Sequence, residues 1–320
     1  MWLSGERSGG FFKCRPPHDH GAALITALLV VATASITWAG LLSQQNLAIR
    51  ESAGYFDRDQ AYQFILGGEA WAREVLHTDR KDNKYDSLNE DWAHTLDPQP
   101  IEGGMISGHL EDMQGRINLN GLVINEGMAP LIAGRLERLL VNLDLDSSLV
   151  DAIADWIDAD HDPQGSGGAE EGSYLALEPA YRPANRRLTT VSEIRLIQGM
   201  TALVYERLTP FVSVLPFPTD ININTAPPEV LMSLADGFSK AMAMTLVDIR
   251  KHNAFVDVSA FVNHASIKDF EIEPAGLTVT SDYFLAKIKA QIGRGRVSLF
   301  SLLERTGKGV RVIQRGRGAL

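Results

Sequence analysis

Cysteine is nearly absent from the 320-residue sequence, and so is any catalytic signature. Cys14 is the single thiol, which excludes a disulfide framework and a cysteine-ligated zinc site. The sequence has no G-x-S-x-G, P-loop, G-x-G-x-x-G or H-E-x-x-H pattern, and no nucleophile lies beside an evident base. We therefore predict that the protein is not an enzyme.

Positive charge is also scarce. The chain has 30 Lys and Arg against 40 Asp and Glu, a formal net charge of −10. This balance argues against a general nucleic-acid coat, because such proteins bind by neutralising phosphates. A hydrophobic fraction of 45% excludes a disordered chain, and the length favours roughly two domain-sized units.

Charge of either sign is missing from residues 21–49. Within this stretch, residues 22–42 are dominated by Ala, Leu, Ile and Val, and as a helix they would span about 30 Å, the thickness of a bilayer core. Arg7, Lys13 and Arg15 precede them and favour a cytoplasmic N-terminus. The sequence thus predicts a transmembrane segment at 22–42.

Apolar residues continue at three- and four-residue spacings beyond this segment, as far as Leu76. Charged residues now lie between them. We predict one helix over 22–76, membrane-embedded in its first half and amphipathic in its second. The alternative is an ordinary signal anchor followed by a separate helix.

This arrangement resembles the N-terminus of type IV pilins and type II secretion pseudopilins. In that family a prepilin peptidase cuts after a glycine just before the apolar run, and Gly21 is the matching residue. The resemblance implies a mature chain that begins at Ala22 and is N-methylated there. Most members have Glu at the fifth mature position, where this chain has Thr26. That departure, and the string AALITALLVV, resemble the K-type minor pseudopilins.

The remaining sequence predicts strands on both sides of a helical block. Residues 77–100 are polar and predict a loop, while 105–111 and 116–120 alternate and predict a hairpin around Gln114 and Gly115. The pattern is helical to about residue 275 and then predicts three strands. We expect an α+β, pilin-like fold, in which a long N-terminal helix packs on a small antiparallel sheet with a large inserted α-helical domain. The expected boundaries are a leader at 1–21, the long helix at 22–76, the first part of the pilin-like domain at 77–120, the inserted domain at 121–275, and the C-terminal strands at 276–320.

Residues 139–181 contain ten carboxylates and no Lys or Arg. Crowded carboxylates repel one another, and oxygen ligands in a flexible loop suit Ca²⁺. Asp158, Asp160 and Asp162 alternate like the first ligands of an EF-hand, but Pro163 and Ala169 stand where its Gly and Glu belong. The loop is therefore no EF-hand, and a solvated acidic loop is the alternative to a metal site.

Residues 155–174 also resemble the calcium-binding loop of the K-type pseudopilins. The resemblance implies a structural Ca²⁺ whose protein ligands come from Asp158, Asp160, Asp162, Glu170 and Glu171.

Two further features leave alternatives open. Residues 222–261 resemble a helix-hairpin-helix module, but few basic residues accompany it (Lys240, Arg250 and Lys251), so we expect no nucleic-acid partner. The alternative function is that of a membrane-anchored DNA receptor of a competence-type system.

The last strands carry basic residues that form either solvated strand edges or a docking surface for an acidic subunit. These residues are Arg294, Arg296, Arg305, Lys308, Arg311, Arg315 and Arg317.

The family resemblance implies a non-enzymatic minor pseudopilin of a type II secretion system. Such a subunit would cap the tip of the periplasmic pseudopilus and initiate its assembly for the export of folded proteins across the outer membrane. It would span the inner membrane once, with a cytoplasmic N-terminus and a periplasmic globular domain. The implied partners are the minor pseudopilins I, J and H, the major pseudopilin G, the prepilin peptidase, the inner-membrane secretion platform and membrane lipid.

Overall fold

A computed structural model of the protein describes residues 20–317. These residues fall into two compact units, one extending to Phe56 and the other beginning at Asp57. The predicted leader, apart from its last two residues, lies outside the described part of the chain, and so do residues 318–320.

The long helix α1 runs without a break from His20 to Asp82, which confirms the single continuous helix. It extends six residues past the predicted end, and Arg80 and Lys81 in its last turn interact favourably with the negative end of the helix dipole. Its apolar part contains an 18-residue window with a mean hydropathy of 2.0, none of it buried. By length and composition α1 can cross a bilayer.

In the second unit, α1 packs on a sheet through a stripe of buried residues. Ala61, Ile65, Ala72 and Leu76 recur on one face at helical spacing and are at most 5% exposed. At Gly68 an added Cβ would press against the side chains of two sheet isoleucines. A glycine there lets the helix approach the sheet closely despite its low helix propensity.

The sheet has five antiparallel strands in the order β1-β2-β9-β10-β11. The three predicted C-terminal strands are confirmed and form a meander. Along β9, alternate residues such as Phe284, Ala286 and Ile288 face the core shared with α1. The strands are β1 (Leu96–Ile101), β2 (Gly104–Asp112), β9 (Tyr283–Ile292), β10 (Gly295–Thr306) and β11 (Gly309–Gly316).

Two sequence predictions are wrong in this part of the fold. The segment expected to be a loop contains β1, whose Pro98 and Pro100 weaken the strand signal and are tolerated because β1 is an edge strand. The expected hairpin does not form either, since β2 pairs with β1 and β9. Residues 117–118 instead pair in parallel with residues 212–213. The Gln114 side chain holds this segment by accepting from the Asp282 amide at 2.6 Å.

The helical region lies between β2 and β9 in sequence and has its own core. Leu136, Ile153 and Ile223 are fully buried at its centre. The helical pattern predicted for this region is borne out by helices at Pro130–Asn142, Leu149–Ile157 and Lys240–His252, whereas Val191–Leu196 forms only a short 3₁₀ segment. The elements are β3 (Ile117–Asn118), β4 (Val123–Ile124), β5 (Gly127–Met128), α2 (Pro130–Asn142), α3 (Leu149–Ile157), α4 (Glu171–Leu175), α5 (Ala202–Leu208), β6 (Val212–Ser213), β7 (Ile221–Asn222), α6 (Pro228–Met232), α7 (Lys240–His252), α8 (Val258–Val262) and β8 (Leu277–Thr278).

A buried polar network connects the end of α1, the sheet and the helical region. Arg305 of β10 donates to Asp79 of α1 at 2.8 Å and to Asp86 at 2.6 Å. Asp86 accepts from the Ser281 amide at 2.7 Å, and the Ser281 hydroxyl donates to Asp112 at 2.7 Å. Asn222 of β7 completes the connection by donating to Asp112 at 3.1 Å.

Candidate metal centre

Helix α3 carries the carboxylates that shape the acidic loop. Almost all residues of this helix are buried. Asp151 and Asp155 lie four residues apart and therefore share one face of the helix. Asp155 accepts from the amides of Gln164 at 3.0 Å and Ala169 at 2.7 Å. Asp151 accepts from the Gly167 amide at 3.0 Å. These two carboxylates fold the loop back onto α3.

The glycines of the loop allow this close approach. Gly165 has a φ of +48°, which a residue with a side chain rarely adopts. A Cβ added at Gly167 would collide with the carbonyl oxygen of Ser148 at the start of α3. The run Gly-Ser-Gly-Gly is therefore needed for the loop to lie against the helix.

The folded loop brings three of the five predicted ligands together. Asp158, Asp160 and Glu170 each offer a carboxylate oxygen, and these oxygens lie within 4.8 Å of one another. Ca²⁺ binds oxygen at about 2.3–2.6 Å, so one ion can contact all three. Asp162 and Glu171 lie outside this group. Asp162 is exposed, and the Glu171 carboxylate pairs with Arg182 at 2.8 Å.

Buried oxygens without hydrogen-bond donors concentrate at this site. Asp158 Oδ1 and both carboxylate oxygens of Glu170 are buried and unpaired, and so is Asn185 Oδ1. Buried polar atoms are nearly always satisfied, because an unmet one costs on the order of 1–3 kcal/mol, and more if it is charged. All four atoms are acceptors of the hard oxygen type, so the donor set fits a calcium-like cation.

Asn185 is a residue that sequence reasoning missed. Its amide nitrogen donates to the Asp160 carbonyl oxygen at 2.8 Å and lies 3.1 Å from His161 Nδ1, which brings it to the carboxylate group. Its φ of +41° is a conformation that Asn tolerates better than most residues. It follows Glu170 by fifteen positions, and nothing in its local sequence pointed to the acidic loop.

The electrostatics of the site favour a bound cation. Burial, together with the negative charges of Asp160, Asp155 and Glu170, raises the pKa of Asp158 to about 6. Burial and the Asp155 charge likewise raise the pKa of Glu170. Within residues 20–317, the side chain that could pair with Glu170 as a cation is His161, which is exposed and lies 3.9 Å away. A dication would stabilise the ionised carboxylates and lower both pKa values.

A second acidic group in the described residues is arranged differently. Oxygens of Asp79, Asp86 and Glu90 also lie within 4.8 Å of one another. Here the Arg305 guanidinium, with only 1% of its side chain exposed, pairs with Asp79 and Asp86. A side chain of the protein itself thus provides the positive charge for this group.

The predicted cleavage site lies in the first turn of α1. Gly21 and Ala22 are exposed there, and Thr26 follows one turn later. The Thr26 hydroxyl donates to the carbonyl oxygens of Ala22 at 3.1 Å and Ala23 at 3.0 Å. A Thr at this position therefore satisfies its own polar group within the helix, which suits a lipid environment.

Family models provide the first comparison with known proteins. Two models, both described as type II secretion system (T2SS) protein K, match residues 115–217 and 221–280, together more than half of the chain. The type II secretion system protein K of Pseudomonas aeruginosa is 38% identical over 312 residues, covering 94% of this chain and 93% of the relative. The chain belongs to the protein K family of type II secretion systems.

Other members of the protein K family agree with this assignment. The protein K of Klebsiella pneumoniae is 30% identical, covering 94% of this chain and 97% of the relative. The crystal structure of the GspK-GspI-GspJ complex from the type 2 secretion system of enterotoxigenic Escherichia coli contains a similar chain, with a TM-score of 0.75 and 26% identity. The match covers 84% of this chain and 100% of that chain. The α+β, pilin-like fold predicted from the sequence is confirmed.

The basic residues of the helix-hairpin-helix segment are engaged within this protein K family member. Arg250 is buried and donates to the Ile223 carbonyl oxygen at 2.6 Å. Lys240 lies 3.4 Å from Glu229, and Lys251 lies 2.9 Å from Asp248. None of the three presents an unpaired cation to a phosphate backbone.

The basic C-terminal strands are also partly neutralised from within. Arg305 is buried against two aspartates, Arg315 pairs with Glu69 at 2.7 Å, and Arg311 pairs with Glu304. Three of the seven basic residues noted in the sequence therefore hold the sheet to α1 or to a neighbouring strand. For the other four residues, solvated strand edges and a docking surface both stay predictions.

Proposed function

We propose that this chain is a minor pseudopilin that caps the tip of the periplasmic pseudopilus and initiates its assembly, in the export of folded proteins across the outer membrane. Its role is structural and involves no catalysis. The observation that carries the proposal is Thr26. In pilin-like filaments the Glu expected at this position would pair with the N-terminal amine of a neighbouring subunit. The first subunit has no subunit above it, so an unpaired Glu in lipid would only be unfavourable.

The N-terminus supports the expected processing and topology. We propose that the prepilin peptidase cuts between Gly21 and Ala22 and that Ala22 is then methylated. The helix would span the inner membrane once, with residues 1–21 cytoplasmic before cleavage and the globular part periplasmic. The exposed apolar surface of residues 21–56 supports this arrangement, because it suits lipid before assembly and helix packing in a filament afterwards.

We propose the minor pseudopilins I and J as direct partners, by analogy with the complex of the similar solved chain. Minor pseudopilin H, the major pseudopilin G and the inner-membrane platform would be further partners in the assembly. We propose that the helical insert spans residues 121–275 and that the flanking pilin-like parts span residues 77–120 and 276–320.

We propose that Ca²⁺ stabilises the acidic loop without taking part in any reaction. Asp158, Asp160 and Glu170 would hold it directly, with Asn185 as a further oxygen donor. Asp162 and Glu171 would lie at the edge of the site and add negative charge there without holding the ion directly. The unpaired buried oxygens support this role, because a bound ion would satisfy them and favour the folded loop.

The test is assembly of the full-length protein in detergent with candidate I and J minor pseudopilins. We expect a 1:1:1 complex by size-exclusion chromatography with light scattering when calcium is present. Chelation should weaken the complex if the loop shapes the contact surface. A protein that binds neither subunit but binds duplex DNA in a salt-dependent way would overturn the proposal in favour of the DNA-receptor alternative.

A further inference from the structure

A cleft runs beside the C-terminal part of α1 in the second unit. It consists of two adjoining hollows between α1, the 3₁₀ turn Asp91–Ala93 and the β1–β2 side of the sheet. The hollows are continuous because five residues line both of them: Trp71, Val75, Asp91, Trp92 and His94.

One end of the cleft is apolar. Its hollow of about 50 Å³ is lined by Ala72 of α1 and by sheet residues such as Ile106 and Ile288. Trp71 forms its rim and is 57% exposed, a large apolar surface to leave in water. The indole of Trp92 forms the floor, fixed by donation to Glu90 at 2.7 Å.

The other end is acidic. This wider hollow of about 730 Å³ has five carboxylates and no Lys or Arg in its lining. Asp79 is the one of the five that is paired, through Arg305. The remaining four have no cation within 4.0 Å among the described residues. Those four residues are Glu74, Asp82, Glu90 and Asp91.

Nearby basic residues do not neutralise this end. Arg80 and Lys81 lie on the adjacent turn of α1 but do not line the cleft. Arg80 points instead toward Asp282, 3.8 Å away. Burial, together with the negative charges of Asp79 and Asp86, raises the pKa of Glu90 to about 7, so Glu74, Asp82 and Asp91 carry most of the charge at this end. The cleft thus presents uncompensated negative charge next to an exposed apolar surface.

We propose that this cleft docks a segment of a neighbouring pilin-like subunit that carries an apolar side chain followed by Lys or Arg. The apolar side chain would cover Trp71, and the basic residues would pair with Glu74 and Asp82. An apolar anchor with charge complementarity around it is the usual composition of a specific protein contact. The inference rests on the proposed function, because it assigns the surface through which this subunit contacts a neighbour.

The test measures binding of the full-length protein in detergent to purified full-length I and J minor pseudopilins of the same secretion system. Two variants alter the cleft at exposed positions: Trp71→Ala, and the double charge reversal Glu74→Lys with Asp82→Lys. We expect each to weaken binding about tenfold or more, as loss of a central anchor or of complementary charge does. Salt should weaken binding of the wild type more than that of the charge-reversed variant.

The matched control is Glu137→Lys with Glu206→Lys, an equal charge change at exposed positions of α2 and α5. It should bind like the wild type. The proposal is overturned if the cleft variants also bind like the wild type, or if they abolish only self-association. A wild type that binds neither I nor J would instead refute the proposed function, so the two failures can be told apart.

Discussion

The two groups of carboxylates in the described residues have similar geometry, but they differ in whether a side chain of the protein compensates their negative charge. In the group at the end of α1, Arg305 is buried with Asp79 and Asp86 and supplies the compensating charge. In the acidic loop, Asp158 and Glu170 are buried with no Lys or Arg within 4.0 Å among the described residues, and Asp158 Oδ1 and both Glu170 oxygens accept no hydrogen bond. The spacing of carboxylates alone therefore does not identify a metal site. The buried acceptors without donors make the loop, and not the group at the end of α1, the candidate site for an external cation.

The largest effect is expected from removing the internal cation. Arg305→Met leaves Asp86 buried without its partner, and we expect the free energy of unfolding to fall by about 3–5 kcal/mol. Denaturant unfolding of the full-length protein in detergent measures this. Arg296→Met, at an exposed position of the same strand, is the control and should change stability by less than about 0.5 kcal/mol. A loss below about 1 kcal/mol for Arg305→Met would show that the two groups are not electrostatically different.

Removing the external cation should have the next largest effect. At a free calcium concentration of a hundred times the Kd, the ion adds about 2.7 kcal/mol of stability, which chelation removes. The double variant Asp158→Asn with Glu170→Gln should lose this calcium dependence. It should also be more stable than the wild type in chelator, because the repulsion between buried carboxylates is gone.

Thermal unfolding with and without calcium measures both parts of this prediction. Asp162→Asn with Glu171→Gln is the matched pair at the edge of the site and should retain most of the calcium response. An equal loss of response in both double variants would contradict the placement of Asp158 and Glu170 at the centre.

Asn185 lies outside the acidic loop, but its amide nitrogen donates to the Asp160 carbonyl oxygen and its buried Oδ1 has no hydrogen-bond donor. Asn185→Ala should lower calcium affinity by about tenfold, the lower end of the range for residues that support metal ligands. Asn185→Asp should restore the affinity only in part, since it keeps an oxygen but loses the amide donor to the Asp160 carbonyl oxygen. Calorimetric titration with calcium measures the affinity of each variant. An unchanged affinity in Asn185→Ala would exclude Asn185 from the site.

The smallest expected effect concerns pH and the group near Arg305. Glu90 has a pKa of about 7 in the folded chain, raised from 4.5 mainly by burial, so the folded state binds the proton more tightly than the unfolded state does. Its contribution to stability is complete below about pH 4.5 and is lost as the pH rises through 7. Glu90→Gln keeps an oxygen to accept from Ser87 and Trp92 and should remove this dependence.

We expect Glu90→Gln to match the wild type near pH 5 and to be more stable by about 1 kcal/mol near pH 8, after allowance for solvent screening. Chemical unfolding at the two pH values measures the difference. Parallel pH profiles for the wild type and the variant would contradict the assigned pKa.

Features that depend on neighbouring residues could be predicted from the sequence. The charge-free run and the apolar spacing predicted α1, and enrichment in Val, Ile, Phe and Tyr predicted β9 to β11. The crowding of carboxylates made residues 155–174 either a metal site or a solvated loop, and three of the five ligands that the family resemblance implied do come together. Each of these signals lies within one continuous segment.

Features that depend on distant partners could not be predicted. β2 finds its partner β9 some 180 positions later, so its local alternation wrongly favoured a hairpin. Arg305 looked like one of many exposed basic residues, because its partners Asp79 and Asp86 lie more than 200 positions earlier. Asn185 likewise reaches the acidic loop only through the fold of the helical region.

The polar network from Asp79 through Arg305, Ser281 and Asp112 to Asn222 has a mechanical consequence. In the proposed role at the tip of the pseudopilus, this subunit would be pushed along the axis of α1 as the filament grows. Hydrogen bonds have defined lengths and directions, so they resist sliding better than apolar side chains, which can shift past one another. Because this connection is buried and water cannot replace its partners, a thrust delivered at the end of α1 would be transmitted to the helical region with little loss in displacement.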